Sequence, residues 1–284
     1  MSYTPSADIK GLIPEYWTPF LQAPLYKSLV ALETANTRFE TYLKDGDTIN
    51  HSYIAMPDVQ DYTPYTEITE WGVVDAEKEQ LVVNEVKVAP FVVDRIEELQ
   101  ANINMVADLG ERAGYQLKDT IDTAVLEGVE DGTAFNFGSA LTTDNIIQFF
   151  ASAKTKLREA NVEEDGDWIT IVTPAVAELI ERVAADNGFQ VADSTLKNGF
   201  AGNFLGLKVY ISNNLPTTSD EASIYIGKRG MIDLVMQAAP QMDISKAENM
   251  LGYKFKPFTV FGTKVFHENA KRFLNATVSI GSSS

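Results

Sequence analysis

The sequence predicts an α+β protein, and three features carry that expectation. A β-branched run at residues 81–93 (LVVNEVKVAPFVV) leads straight into a long helical apolar stripe at 94–127. A second unit alternates helix and strand signals between 141 and 226, and from Tyr253 onward the pattern alternates like strands with no helix signal. The 284 residues, 45% of them hydrophobic, suffice for one large domain or two modest ones. No self-similarity at periods of about 20 to 50 residues marks a solenoid.

Taken in order, residues 1–44 hold four prolines and scattered aromatics (Tyr3, Tyr16, Trp17, Phe20, Tyr26), with a helix signal at 25–42 but too little apolar periodicity for a core of their own. Residues 45–80 read as short extended pieces separated by turns at Asp45-Gly46, Pro57-Asp58 and Trp71-Gly72. A loop this long in a compact domain is usually functional or partner-bound. In the strand that follows, Val86 and Val88 share one face and Glu85 and Lys87 the other. Asp94, with Glu97 three residues on, opens the helix, whose stripe is Ile96, Leu99, Ile103, Val106, Leu117, Ile121 and Val125; Gly128 ends it. As one rod it would be ~51 Å long at 1.5 Å per residue, roughly the ~49 Å diameter of a globule of this length. The alternative is two helices broken near Gly110; the in-phase return of the apolar face favours the rod.

In the second unit, Thr143 or Asp144 caps a helix reaching about residue 160, and the acidic turn at 163–167 leads to a strand at 168–172. Thr173-Pro174 starts a helix to about 185. The stretch GFAGNFLGLKVYISNNLP (199–216) frames the strand LKVYI with glycines before it and an Asn-Asn-Leu-Pro stop after it, and a further strand covers 223–226.

Chemistry is sparse. No apolar run is long enough to span a bilayer, and the first residues lack the basic and apolar regions of a signal peptide, so the expectation is a soluble protein with no membrane partner. Without cysteine there is no disulfide, thiolate metal site or cysteine nucleophile. Net charge is 23 − 40 = −17, which opposes wrapping DNA. His51 and His267 have no partner at metal-ligand spacing, and Asp45–Asn50 departs from a calcium loop at Ile49 and Asn50. The glycines 199, 202 and 206 make no dinucleotide fingerprint, and 227–230 is no phosphate loop. No catalytic residue, cofactor or metal is therefore assigned. The aromatics Tyr16, Trp17 and Phe20, and Tyr62, Tyr65 and Trp71, lie on segments without a local core. They either fold back onto their own subunit or bury themselves in a neighbour; two such segments together favour the neighbour, and these six are the candidate inter-subunit contacts.

The order of VVDRIEELQANINMVADLGERAGYQLKDTID, a Trp168-to-Pro174 helix unit, FLGLKVYISNNLP, IYIGKRG and FTVFGTKVFHENA resembles the major capsid proteins of tailed double-stranded DNA bacteriophages, with the Hong Kong 97-like fold, over nearly the whole chain. The resemblance implies an N-terminal arm at 1–44, an extended E-loop hairpin at 45–80, a peripheral domain with a long spine helix at 81–140, an axial domain at 141–252 and peripheral return strands at 253–284. It implies subunits that self-assemble into hexamers and pentamers of an icosahedral virion capsid, built in the host cytoplasm, with packaged double-stranded DNA contacted weakly and non-specifically. Because the segment before the hairpin is short, it also implies a separate scaffolding protein; a portal protein and a cementing protein are further partners. Some capsids of this family cross-link through an E-loop lysine, yet residues 45–77 contain none, so closure without covalent bonds is expected. Two other readings stand beside it: an encapsulin-like shell protein, and a soluble metal-dependent α/β enzyme using Asp165 and Asp167.

Overall fold

The computed structural model describes residues 26–43, 46–54, 59–68, 71, 76–100, 105–186, 200–218 and 221–279. Helix α1 (Ala31–Thr34) and a 3-10 turn (Arg38–Tyr42) precede a hairpin of β1 (Thr48–Ile54) and β2 (Ala76–Val82). Then come β3 (Glu85–Val88), β4 (Phe91–Asp94), α2 (Arg95–Gln100), α3 (Met105–Glu127), β5 (Thr133–Phe135), α4 (Ile146–Glu159), β6 (Trp168–Val172) and α5 (Pro174–Asp186). The rest is β7 (Phe200–Phe204), β8 (Leu207–Ile211), β9 (Thr217–Thr218), β10 (Glu221–Lys228), β11 (Asp233–Lys246), β12 (Gly252–Lys264), α6 (His267–Ala270) and β13 (Phe273–Ser279).

Strand β6 is buried at every residue because its sheet is covered on both faces. That sheet runs β5-β13-β10-β6-β8-β7, with β9 beside β10. Trp168 and Val172 point into a core closed by Phe149, Phe150 and Leu157 of α4 and Val176, Ile180 and Val183 of α5. Ile169 and Ile171, one residue out of phase, point the opposite way, to Ile121, Val125 and Leu126 of α3 and to Leu234 and Phe261. Gly206 does its expected work, while Gly199 lies outside the described residues: β7 and β8 form a tight hairpin in which Phe204 pairs with Leu207, and both turn residues, Leu205 and Gly206, have positive φ (50° and 80°). Phe200–Phe204 is itself a strand, which the sequence reading took for the approach to one.

The second sheet orders β11-β12-β3, with β4 also on β12. Its inner face lies on α3, close enough that a methyl added at Gly110 would sit 3.3 Å from the Met242 Cε. Gly110 and Gly114 fall inside α3 with no break, so the alternative of a break near Gly110 fails; residues 101–104, where α2 and α3 would join, lie outside the described residues. Asp94 caps as expected, its Oδ1 accepting the Ile96 N–H at 2.8 Å. Among the described residues of the stripe, Leu117, Ile121 and Val125 are buried, whereas Ile96 and Leu99 are exposed because no described element lies over them.

Four further expectations are corrected. Of the helix expected at 25–42 only Ala31–Thr34 and a 3-10 turn form; α1 stops at Thr34 because Asn36 is drawn into a parallel bridge with Asp233, its N–H donating to the Ile232 carbonyl at 2.8 Å. The strand at 81–93 is three strands, interrupted at 83–84 and 89–90 as the chain passes from the hairpin to two different stretches of β12. Neither Thr143 nor Asp144 caps α4; Asn145 precedes it, its side chain accepting the Thr142 N–H at 2.8 Å and donating to the Ala140 carbonyl at 2.8 Å. The C-terminal stretch does contain a one-turn helix, α6. Across the chain, β11 pairs with β12, and β13 crosses back to pair with β10.

The β1–β2 hairpin is antiparallel from Thr48↔Val82 to Ile54↔Ala76. Its root is a small core of Leu43, Leu81, Val83, Val235 and Phe266, where β12 crosses the end of β2. At that crossing a Cβ on Gly262 would lie 2.5 Å from the Val82 carbonyl oxygen and 2.9 Å from the Val83 Cα, both backbone atoms that cannot step aside. Gly262→Ala is therefore expected to cost about 1–3 kcal/mol through overpacking; urea denaturation of the unassembled subunit measures it, and an unchanged midpoint contradicts it.

Candidate assembly interface

Beyond Ile54 and Ala76 the hairpin leaves the body of the subunit. A turn closed by the Thr66 N–H on the Thr63 carbonyl (3.2 Å) presents Tyr65, whose side chain is fully exposed at 103%. Trp71 (78%) and Tyr62 (63%) are also exposed, with Val59 and Ile68 beside them in sequence. None of these side chains enters any of the subunit's core clusters. Of the six predicted contact residues, these three thus stand out in solvent on one excursion; Tyr16, Trp17 and Phe20 lie outside the described residues.

A second apolar surface escaped the sequence reading. Val86 pairs with Val260 and Val88 with Phe258, so the four side chains share the sheet face turned away from α3. Val86 and Val88 are exposed, while Glu85 and Lys87 face inward at the sheet's edge and neutralise each other at 2.7 Å. The alternation of 85–88 announces two faces; which one is covered depends on where α3 lies.

The arm's inner end is not free. Val30 and Ala31 are buried in the subunit's own core, and both backbone N–H groups donate to the Asp122 Oδ1 of α3 at 2.7 Å. Asn214, from the Asn-Asn-Leu-Pro stop, donates to the Asp122 Oδ2 (2.9 Å) and to the Asp119 Oδ1 (2.7 Å), while its carbonyl accepts from the Lys27 Nζ (2.9 Å). Tyr26 packs on Tyr115 with ring centroids 4.2 Å apart. Burial pushes the Asp122 carboxyl above the usual carboxylate range, against the pull of the donors from Ala31, Asn214 and Val30. This clamp joins the arm's inner end, the long helix and the loop, and that inner end folds back on its own subunit because those two N–H groups find an acceptor there.

In the 163–167 turn, Glu164, Asp165 and Asp167 are taken up in ion pairs. Asp165 pairs with Lys228 (2.6 Å), Asp167 with Lys208 (2.9 Å), and Glu164 with Lys154 (2.9 Å) and Arg158 (2.7 Å). Hydrogen bonds from Arg158 and Lys154 hold the Glu164 carboxyl below its ordinary range, and Lys228 does the same for Asp165. Among the described residues no group of three or more His, Cys, Asp or Glu side chains could hold a metal ion. No helix among them is long and apolar enough to cross a membrane.

Residues 91–271, well over half the chain, match the family model for phage capsid protein. The chain belongs to the phage capsid protein family. Comparison with curated proteins gives no match. The capsid protein's fold is shared with a chain of Mycobacterium phage Che8 (22% identity, TM-score 0.80, covering 94% of this chain and 97% of that one). It is also similar to the capsid structure of cyanophage P-SCSP1u (13%, TM-score 0.77, 96% and 95%) and to the capsid of a native GTA particle (8%, TM-score 0.73, 96% and 97%). The architecture is the Hong Kong 97-like fold that the resemblance implied, and the capsid protein is a structural component of the virion shell, not an enzyme. The metal-dependent reading of Asp165 and Asp167 is set aside by family membership.

Proposed function

We propose that the capsid protein tiles into pentamers and hexamers of an icosahedral shell around double-stranded DNA, and that the hairpin at 45–80 works as an E-loop. In this reading Tyr62, Tyr65 and Trp71 bury themselves in a neighbouring subunit, the arm's Tyr16, Trp17 and Phe20 do likewise, and α3 is the spine of a peripheral domain while the larger sheet forms an axial domain. The observation that carries the reading is the rooted hairpin with an apolar, coreless tip. Its root is packed like a protein interior and its tip is left to solvent, an arrangement that makes sense when a second subunit covers the tip. Val86 and Val88 on the outward sheet face add exposed apolar surface of the same kind.

Assembly takes place in the host cytoplasm with a scaffolding protein and a portal protein, and a cementing protein reinforces the finished shell. DNA is held weakly and without sequence preference, because 40 acidic against 23 basic residues give the subunit a net charge of −17, which opposes close approach to phosphates. With no lysine between Asp45 and Glu77, the hairpin lacks the amine a family-type cross-link needs, so closure is non-covalent. Purified particles are expected to appear as closed shells in negative stain and to give one coat band near 31.3 kDa after boiling in detergent. Discrete small oligomers would overturn the shell reading, and a ladder of multimers would overturn non-covalent closure alone.

A further inference from the structure

Both histidines of the sequence, His51 and His267, line a cavity of about 400 Å³ at the hairpin's root, and Asp233 forms part of its wall. Asp233, the first residue of β11, has no solvent exposure. Its Oδ1 accepts from the Asn36 side-chain amide and its Oδ2 from that of Asn269 at 3.0 Å. Asn36 is stitched to the same strand by its backbone as well: its N–H donates to the Ile232 carbonyl (2.8 Å) and its carbonyl accepts the Leu234 N–H (2.9 Å). One buried carboxyl thus joins the arm, the start of β11 and the C-terminal turn.

Neither amide donor carries a charge that could compensate an ionised Asp233. The other titratable groups around the cavity come from every element packed there. The hairpin brings His51, Tyr53, Glu77 and Glu79; the C-terminal turn brings His267, Glu268 and Arg272. Glu79 accepts the His267 backbone N–H (3.1 Å), and Glu268 is paired with Lys271 (2.8 Å). Arg38, on the arm, attracts Asp233 through space only.

We propose that Asp233 is a protonation-sensitive latch: neutral, it fastens the arm at Asn36 and the C-terminal turn at Asn269 to β11, and ionised, it loosens that junction. Protonation weakens the two amide hydrogen bonds without breaking them, because each oxygen keeps an acceptor lone pair, and it removes the larger cost of an uncompensated buried charge. Burial lifts the carboxyl from the ordinary 3.8 to about 7, against the hydrogen bonds of Asn36 and Asn269 and the pull of Arg38. The fastened state therefore binds the proton more tightly than the opened one. The latch is strongest below the opened-state pKa, weakens as pH rises from about 4 to about 7, and changes no further above that. Between pH 5.5 and 8 the open population is expected to rise roughly tenfold to thirtyfold.

The test is hydrogen exchange on the full-length, unassembled subunit, corrected for the intrinsic pH dependence of exchange and read in peptides covering 30–40 and 230–240. Wild type should lose roughly tenfold or more of its protection from pH 5.5 to 8. Asp233→Asn should remove that dependence, and Arg38→Gln should raise the pH at which the loss levels off. Protection independent of pH in wild type overturns the latch. So does a dependence that vanishes in the His51→Gln/His267→Gln double variant, which would assign the titration to the histidines. If Asp233→Asn does not fold, the Arg38→Gln and histidine variants still decide between these outcomes.

Discussion

A subunit carrying Tyr62→Ser, Tyr65→Ser and Trp71→Ser together is expected to fold as well as wild type and to fail to form shells. The three side chains are exposed and join no core, so their loss should leave the unassembled subunit's stability within about 0.5 kcal/mol. Buried in a neighbour, however, aromatic anchors of this kind contribute about 2 kcal/mol or more each. Repeated at every contact of a closed shell, that loss should cut the assembled fraction by far more than tenfold. Thermal melting of the subunit and sedimentation of the assembly reaction separate the two effects. Normal particles from the triple variant would remove the hairpin tip from the interface; a collapse of subunit stability would mean that the tip packs at home.

The second large effect belongs to the clamp. Asp122→Ala leaves two buried backbone donors, at Val30 and Ala31, without their acceptor and frees the Asn214 amide from one of its two partners. At about 1–3 kcal/mol for each buried donor left unpaired, less the desolvation that ionised Asp122 no longer suffers, the net loss should be on the order of 3 kcal/mol. Asp122→Asn keeps the shape and one acceptor oxygen, and should lose less. Because burial raises the Asp122 carboxyl, this contribution is larger at mildly acidic than at neutral pH: the native state holds the proton where the unfolded chain has released it, and stability is lost as pH rises between the two values. Urea denaturation of the subunit at two pH values measures both; a loss below about 1 kcal/mol would show that water or another acceptor takes over.

Local signals were reliable wherever chemistry acts within a few residues. Trp168–Val172, Leu207–Ile211 and the helix from Pro174 lie where composition and capping place them, and Asp94 caps the helix it was expected to cap. The hairpin tip was legible because large aromatics on a turn-rich segment have no local partner to hide against. By contrast, Asp233–Lys246, the longest strand beyond the hairpin, went unread: its inner residues at the β12 ladder alternate with Gln237, Gln241 and Asp243, and a β-bulge shifts the register between Met236 and Gln241. Asn214 read only as part of a stop signal and Asp122 drew no reading at all, since a polar side chain announces nothing about a partner some ninety residues away.

The sequence by itself determined the class of the protein, its order of strands and helices in the second unit, the excursion with its exposed aromatics, and the family that the chain resembles. These follow from side-chain period, backbone preference and turn chemistry, all of which act over a few residues. Only the tertiary structure decided which of two alternating faces is covered, so that Ile169 and Trp168 serve opposite cores while Val86 and Val88 face outward. It alone decided that β13 returns to β10 while β12 joins β11, and that one carboxylate of α3 gathers the arm and the loop. A period of two says that a strand has two faces, but burial is a property of what packs against it, and that neighbour comes from a distant part of the chain or from another subunit.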